Sequence, residues 1–119
     1  MLQLFKLEKE EFSQVDKEWQ RTYHWLKKFI FNGSLIIAIT ITDHFQQKKG
    51  REWITNELIL NIFWEKLNRQ EMKPFKKCGQ RNIYVWEWVP YKGNYYHLTF
   101  WFKDDTSNHL WVRNCYPIS

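Results

Sequence analysis

The chain has 119 residues, enough for one hydrophobic core and too few for two ordinary domains. Apolar residues make up 44% and charged residues 26%, a balance that excludes a disordered chain. A net charge of +5 favours an anionic partner, nucleic acid being the commonest for a small basic domain.

In chain order, the first pattern runs from about Glu10 to Phe29. There Phe12, Val15, Trp19, Tyr23 and Leu26 recur at spacings of three or four between charged residues, which predicts an amphipathic N-terminal helix. Asn32-Gly33 would stop that helix and turn the chain. The run SLIIAITIT (34–42) is continuous and β-branched, and predicts a strand buried on both faces or close to it. DHFQQKKGRE (43–52) is polar and basic, an exposed loop or the frayed start of a helix. Thr55 has the chemistry of an N-cap, with Ile54 as a hydrophobic staple and Glu57 in the first turn of a second helix. Leu58, Ile59, Ile62, Phe63 and Leu67 form its apolar stripe, and Pro74 excludes continuation beyond about Arg69.

After a basic connection (72–80) come three predicted strands, Asn82 to Tyr91, Asn94 to Lys103 and His109 to Tyr116, joined by Lys92-Gly93 and DDTSN (104–108). The expected fold is therefore α+β: an N-terminal helix, a strand, a helix and a three-stranded antiparallel meander, making a four-stranded sheet packed by helices. No apolar run reaches about 18 residues and MLQLFKLEKEEF has no signal-peptide core, so no membrane association is expected and cytoplasmic residence is the default.

Alternation along the predicted strands divides the meander into two faces. Ile83, Val85, Val89, Leu98, Phe100, Phe102, Leu110 and Val112 would face the core, leaving Glu87 and Asn114 on that side in need of partners. Tyr84, Trp86, Trp88, His97, Thr99, Trp101, Trp111 and Arg113 would face outward, with Thr99 opposite Arg113 and Trp101 opposite Trp111. Aromatic residues are 19% of the chain, including eight Trp, and indoles mixed with His and Arg suit a platform that stacks bases and holds phosphate. The bland reading is that the N-terminal helix covers this face with Trp19, Tyr23 and Trp25.

His44 ends the ITDH segment just before Lys48, Lys49 and Arg51, where its near-neutral pKa would suit acid–base work on a ribose hydroxyl. The plainer alternative is a structural or merely exposed histidine. Arg113 and Arg81 are candidates to bind a scissile phosphate bidentately, and Tyr116 to orient substrate. Cys78 and Cys115 form neither a disulfide framework nor a ligand pattern, so no metal or cofactor is expected.

ITDH (41–44), WITNELI (53–59), YVWEWV (84–89), YYHLTFWFKDD (95–105) and LWVRNCYPI (110–118) together resemble the ribonuclease superfamily that joins barnase, EndoU, the tRNase colicins and RelE-type toxins, in its small phage and toxin branch. The resemblance implies a nuclease core at 34–119 and a helical extension at 1–33 within one domain. It implies metal-independent RNA cleavage through the 2′-hydroxyl, by a bacterial toxin acting on tRNA or mRNA and held by a cognate antitoxin or immunity protein. The matching catalytic positions are His44, Arg81, Thr99, Arg113 and Tyr116; RNA would be bound by Lys48, Lys49, Arg51, Trp86, Trp88, His97, Trp101 and Trp111. Two other readings stay open: a non-catalytic nucleic-acid-binding module, and a protein-interaction partner such as an inhibitor or immunity protein.

Overall fold

A computed structural model describes residues 3–48, 50–51 and 53–118. Seven strands form one mixed sheet: β1 (Phe5–Ser13), β2 (Glu18–Phe31), β3 (Ser34–Thr42), β4 (Lys76–Cys78), β5 (Arg81–Tyr91), β6 (Asn94–Phe102) and β7 (His109–Ile118). Their spatial order is β1-β2-β3-β7-β6-β5-β4, antiparallel throughout except where β3 and β7 run parallel at the centre. One short helix, α1 (Asn56–Ile62), continues through a wider π-type turn (Phe63–Leu67) and links the two halves. No helix among the described residues is long and apolar enough to cross a membrane.

This architecture corrects the expected α+β fold. The segment expected as an N-terminal helix is the β1–β2 hairpin. Its turn is held by Ser13, whose Oγ accepts from the Asp16 backbone N–H at 3.0 Å and whose carbonyl accepts from Lys17 N at 2.8 Å. Val15, counted into a helical stripe, stands at the turn tip with 91% of its surface exposed. The period that matters is two: Trp19, Tyr23 and Trp25 share a face of β2, and cross-strand contacts join Phe12 to Trp19 and Phe5 to Tyr23. Asn32 and Gly33, both at positive φ (50° and 75°), form the hairpin turn between β2 and β3 instead of a helix stop.

Other local expectations hold. The run 34–42 is β3, and Thr55 caps α1 by accepting from Leu58 N at 3.1 Å. Lys92 and Gly93, at φ 47° and 85°, turn β5 into β6. The three C-terminal strands are antiparallel neighbours, but as part of the larger sheet.

The core lies on one face only. Ile59, Leu60, Ile62, Phe63 and Leu67 from the helical segment pack against Trp25, Phe29 and Phe31 of β2, Ile39 of β3, and Leu98, Phe100, Leu110 and Val112 of β6 and β7. The edge-on contact Phe63–Phe100 (5.1 Å) ties the helical segment to β6, and Phe31–Phe100 (5.5 Å) joins β2 to β6 across the core. Among the described residues no α-helix packs on the opposite face of the sheet; a single 3-10 turn, Phe45–Gln47, lies beside β7.

Two bulges decide which side chains reach that opposite face. In β5 the pairing shifts between Trp86 and Val89, with Trp88 in the left-handed region at φ 57°. Upstream of the bulge the register is one residue from that expected: Val85, not Trp86, pairs with Thr99. Tyr84 and Trp86 therefore face the core, where Tyr84 stacks on Phe100 at 5.5 Å, while Val85 and Glu87 face outward. In β7 the extra residue is Arg113: Thr99 pairs with Asn114 and Phe100 with Val112. The expected Thr99–Arg113 pairing is thus displaced by one, whereas Trp101 does oppose Trp111.

Candidate functional site

The face opposite the helix is polar and aromatic and spans five strands; Glu18, Thr40 and Thr42 on it are buried, and its outer residues are partly exposed. β2 contributes Glu18, Gln20 and Thr22; β3, Thr40 and Thr42; β7, His109, Trp111 and Arg113; β6, His97, Thr99 and Trp101; and β5, Arg81 and Glu87. At one end a cleft of about 490 Å³ is lined by Asp16, Glu18, Arg81, Trp101, Lys103, Asp104, Trp111 and Arg113.

On the floor of this cleft Arg113 Nη1 donates to Glu18 Oε1 at 2.7 Å. The Glu18 side chain is only 2% exposed, and its other oxygen accepts from Gln20 Nε2 at 3.4 Å. A carboxylate is tolerated at such burial because it is paired and hydrogen-bonded. Ninety-five residues separate the partners, which meet only because β2 and β7 flank β3. The bulge at Arg113 aims its guanidinium here.

The cleft wall is built on Arg81. Its guanidinium lies 4.4 Å from the Trp101 ring centroid and grips Asp104 through both Nε (3.1 Å) and Nη2 (2.7 Å). The hydrogen bond raises the pKa of Arg81 and holds the Asp104 carboxyl below the usual range. One face of Trp101 is thereby taken, and a base entering the cleft would meet the guanidinium plane or the indole of Trp111. Three acidic and three basic side chains line the cleft, so it is not a simple cationic trough.

A second cluster lies further along the same face. Tyr116 stacks on His97 with centroids 4.5 Å apart and planes at 15°, and Arg51 sits over the Tyr116 ring at 4.6 Å. His97 Nε2 shares a hydrogen bond with Thr99 Oγ1 at 3.2 Å, and its Nδ1 lies 3.6 Å from Glu87. Burial lowers the His97 pKa and Glu87 partly opposes this, which favours a neutral imidazole at pH 7. His109 is set differently: Nε2 meets Thr40 Oγ1 at 2.7 Å, which meets Thr22 Oγ1 at 2.7 Å. Burial and Lys103 push His109 down to about 4.

The structure thus brings Arg81, Trp101, Trp111 and Arg113 into one cleft, and Arg51, His97, Thr99 and Tyr116 into a neighbouring row. Other expected site residues lie elsewhere. His44 sits in the turn after β3, and no side-chain hydrogen bond or ion pair of the described residues involves it. Lys48 is exposed in the next loop, and Lys49 lies outside the described residues. Trp86 faces the core, and Trp88 stands exposed at the β5 bulge against Tyr95 at 5.8 Å. Both are removed from the stacking surface by the β5 bulge. Sequence reasoning missed Glu18 because it placed that residue on a helix. A hairpin reading, prompted by Asn32-Gly33, would have put Glu18, Gln20 and Thr22 together on one strand face.

Compared with protein-family models, with curated proteins and with solved structures, the chain matches none significantly.

Proposed function

We propose that the face opposite the helix binds single-stranded RNA and cleaves it by attack of a ribose 2′-hydroxyl on the adjacent phosphate, without a metal. The observation that carries this is the Arg113–Glu18 pair on the floor of a cleft walled by Trp101 and Trp111. Arg113 donates one N–H to Glu18 and retains other guanidinium donors for a phosphate and the charge it gains in the transition state. Glu18, buried and bonded to Arg113, fixes the guanidinium towards the phosphate; the 2′-hydroxyl loses its proton to water, and the 5′-oxygen leaves as the P–O5′ bond breaks, taking a proton from water. Trp111 and the Arg81 plane over Trp101 offer stacking surfaces for the flanking bases. His44 has no part in this arrangement. A net charge of +5 supports an RNA partner, and the cytoplasm is where the chain would meet it.

The test is incubation of purified protein with cellular RNA in excess EDTA, analysing ends for 2′,3′-cyclic phosphate. Arg113→Ala and Glu18→Gln should each reduce cleavage by about 10²-fold or more, and His44→Ala should leave it unchanged. Full cleavage in both cleft variants would sink the assignment. Growth arrest on induction in bacteria reads the toxin role that the sequence resemblance implies. The balanced charge of the cleft favours a second reading, a module that binds RNA without cutting it. Salt-dependent binding with no cleavage of any RNA would select that reading.

A further inference from the structure

The two edges of the sheet are built differently. The β4 edge is blunted: three residues long, preceded by Pro74, and carrying Lys76 and Lys77 close to Lys73, all of one sign. The β1 edge runs for nine residues without proline, and among the described residues no strand pairs with its outer side. Leu7 and Phe12 on β1 are each 43% exposed, and the adjoining Trp19 is 39% exposed. β1 carries charges of both signs: Lys6 and Lys9 against Glu8, Glu10 and Glu11.

We infer that β1 is an interface for a second copy of this chain, which adds its own β1 antiparallel across a two-fold axis between Glu8 and Lys9. In this register Phe5 faces the partner's Phe12, and Lys6 faces the partner's Glu11. Leu7 faces the partner's Glu10, and Glu8 faces the partner's Lys9. Each pair recurs through the axis, so the contact is isologous and closes as a dimer.

The bulge in β1 makes this register workable. Opposed residues in an antiparallel pair must lie on the same face, so a regular strand pairing with itself opposes residues of equal parity. The pairing of β1 with β2 shifts between Leu7 and Lys9. That extra residue puts Phe5, Leu7, Glu10 and Phe12 on the helix side, and Lys6, Glu8, Lys9 and Glu11 on the other. Glu8 lies 3.7 Å from His24 and Lys9 pairs with Glu11 at 2.6 Å, both on that second side, while Glu10 pairs with Arg21 on the first. With the bulge at the centre, the proposed register opposes like faces. It sets Lys against Glu along the whole second side and buries Phe12 and Phe5 on the first.

Sedimentation velocity of the full chain over a concentration series tests this inference. The wild type should form a reversible dimer. Glu11→Lys places lysine opposite lysine twice and should weaken the dimer at least about tenfold. Lys6→Glu combined with Glu11→Lys restores opposite charges and should restore association, with circular dichroism showing both variants folded. A wild type that stays monomeric up to about 1 mM would overturn the inference. So would a single variant that dimerises as well as wild type, or a double variant no better than the single.

Discussion

Arg113→Met should destabilise the fold, because it leaves a buried carboxylate without its cation. Glu18 is 2% exposed and would keep only the 3.4 Å contact from Gln20. Removing one partner of a fully buried ion pair costs about 3–5 kcal/mol. Here the Arg113 side chain is 34% exposed, so water reaches part of the vacated space and the cost falls to roughly 2 kcal/mol. A chain of 119 residues unfolds with an entropy of about 0.25 kcal/mol/K, so the melting temperature should drop by roughly 8 °C. Glu18→Gln should cost less, about 1 kcal/mol, since the freed guanidinium can turn to solvent. The double variant Glu18→Gln/Arg113→Met should recover to within about 1 kcal/mol of wild type, giving a coupling of at least about 2 kcal/mol. Urea and thermal unfolding followed by tryptophan fluorescence would measure all four proteins. Additive single effects, or an Arg113→Met melting point equal to wild type, would refute the claim that these groups support one another. A stable double variant would also let loss of RNA cleavage be read as chemistry and not as unfolding.

The folded-state pKa of His109, about 4, lies below the ordinary value of 6.5, so the unfolded chain binds the proton first. Stability should therefore decline as pH falls from about 6.5 towards 4 and then level off for this group. His97, also lowered, adds in the same direction. His109→Asn should flatten the decline measured by urea unfolding at several pH values, and an unchanged slope would rule out His109 as its source. Burial raises the Cys115 thiol to about 12, while Cys78 is exposed on β4. A thiol reagent should therefore titrate one cysteine in the native protein and two after denaturation, and Cys78→Ser should abolish the native reaction. Trp111→Ala should weaken binding of a short RNA by about 5- to 150-fold, the range expected from loss of one stacked base, as read by fluorescence titration. A smaller loss than Trp88→Ala, which alters a residue outside the cleft, would place the stacking surface elsewhere.

Local chemistry written in a few adjacent residues was legible without coordinates. The β-branched run of β3, the Thr55 cap and the Lys92-Gly93 turn each depend on near neighbours in the chain, and each is present. So is the outward projection of His97, Thr99, Trp101 and Trp111, because alternation along β6 and the start of β7 is regular. The N-terminal hairpin was misread because Phe12, Val15, Trp19 and Tyr23 fit a helical period by accident, one of them lying on a turn. Bulges defeated the rest: a single extra residue at Trp88 turned Tyr84 and Trp86 inward, and one at Arg113 displaced its pairing. The Glu18–Arg113 pair lay beyond any local pattern, since only the order β2-β3-β7 brings those positions together. Sequence determined that 34–42 and the three C-terminal segments extend, and which residue types could do chemistry. Strand order and register, set by packing the whole sheet beneath one helix, decided which of them share a cleft.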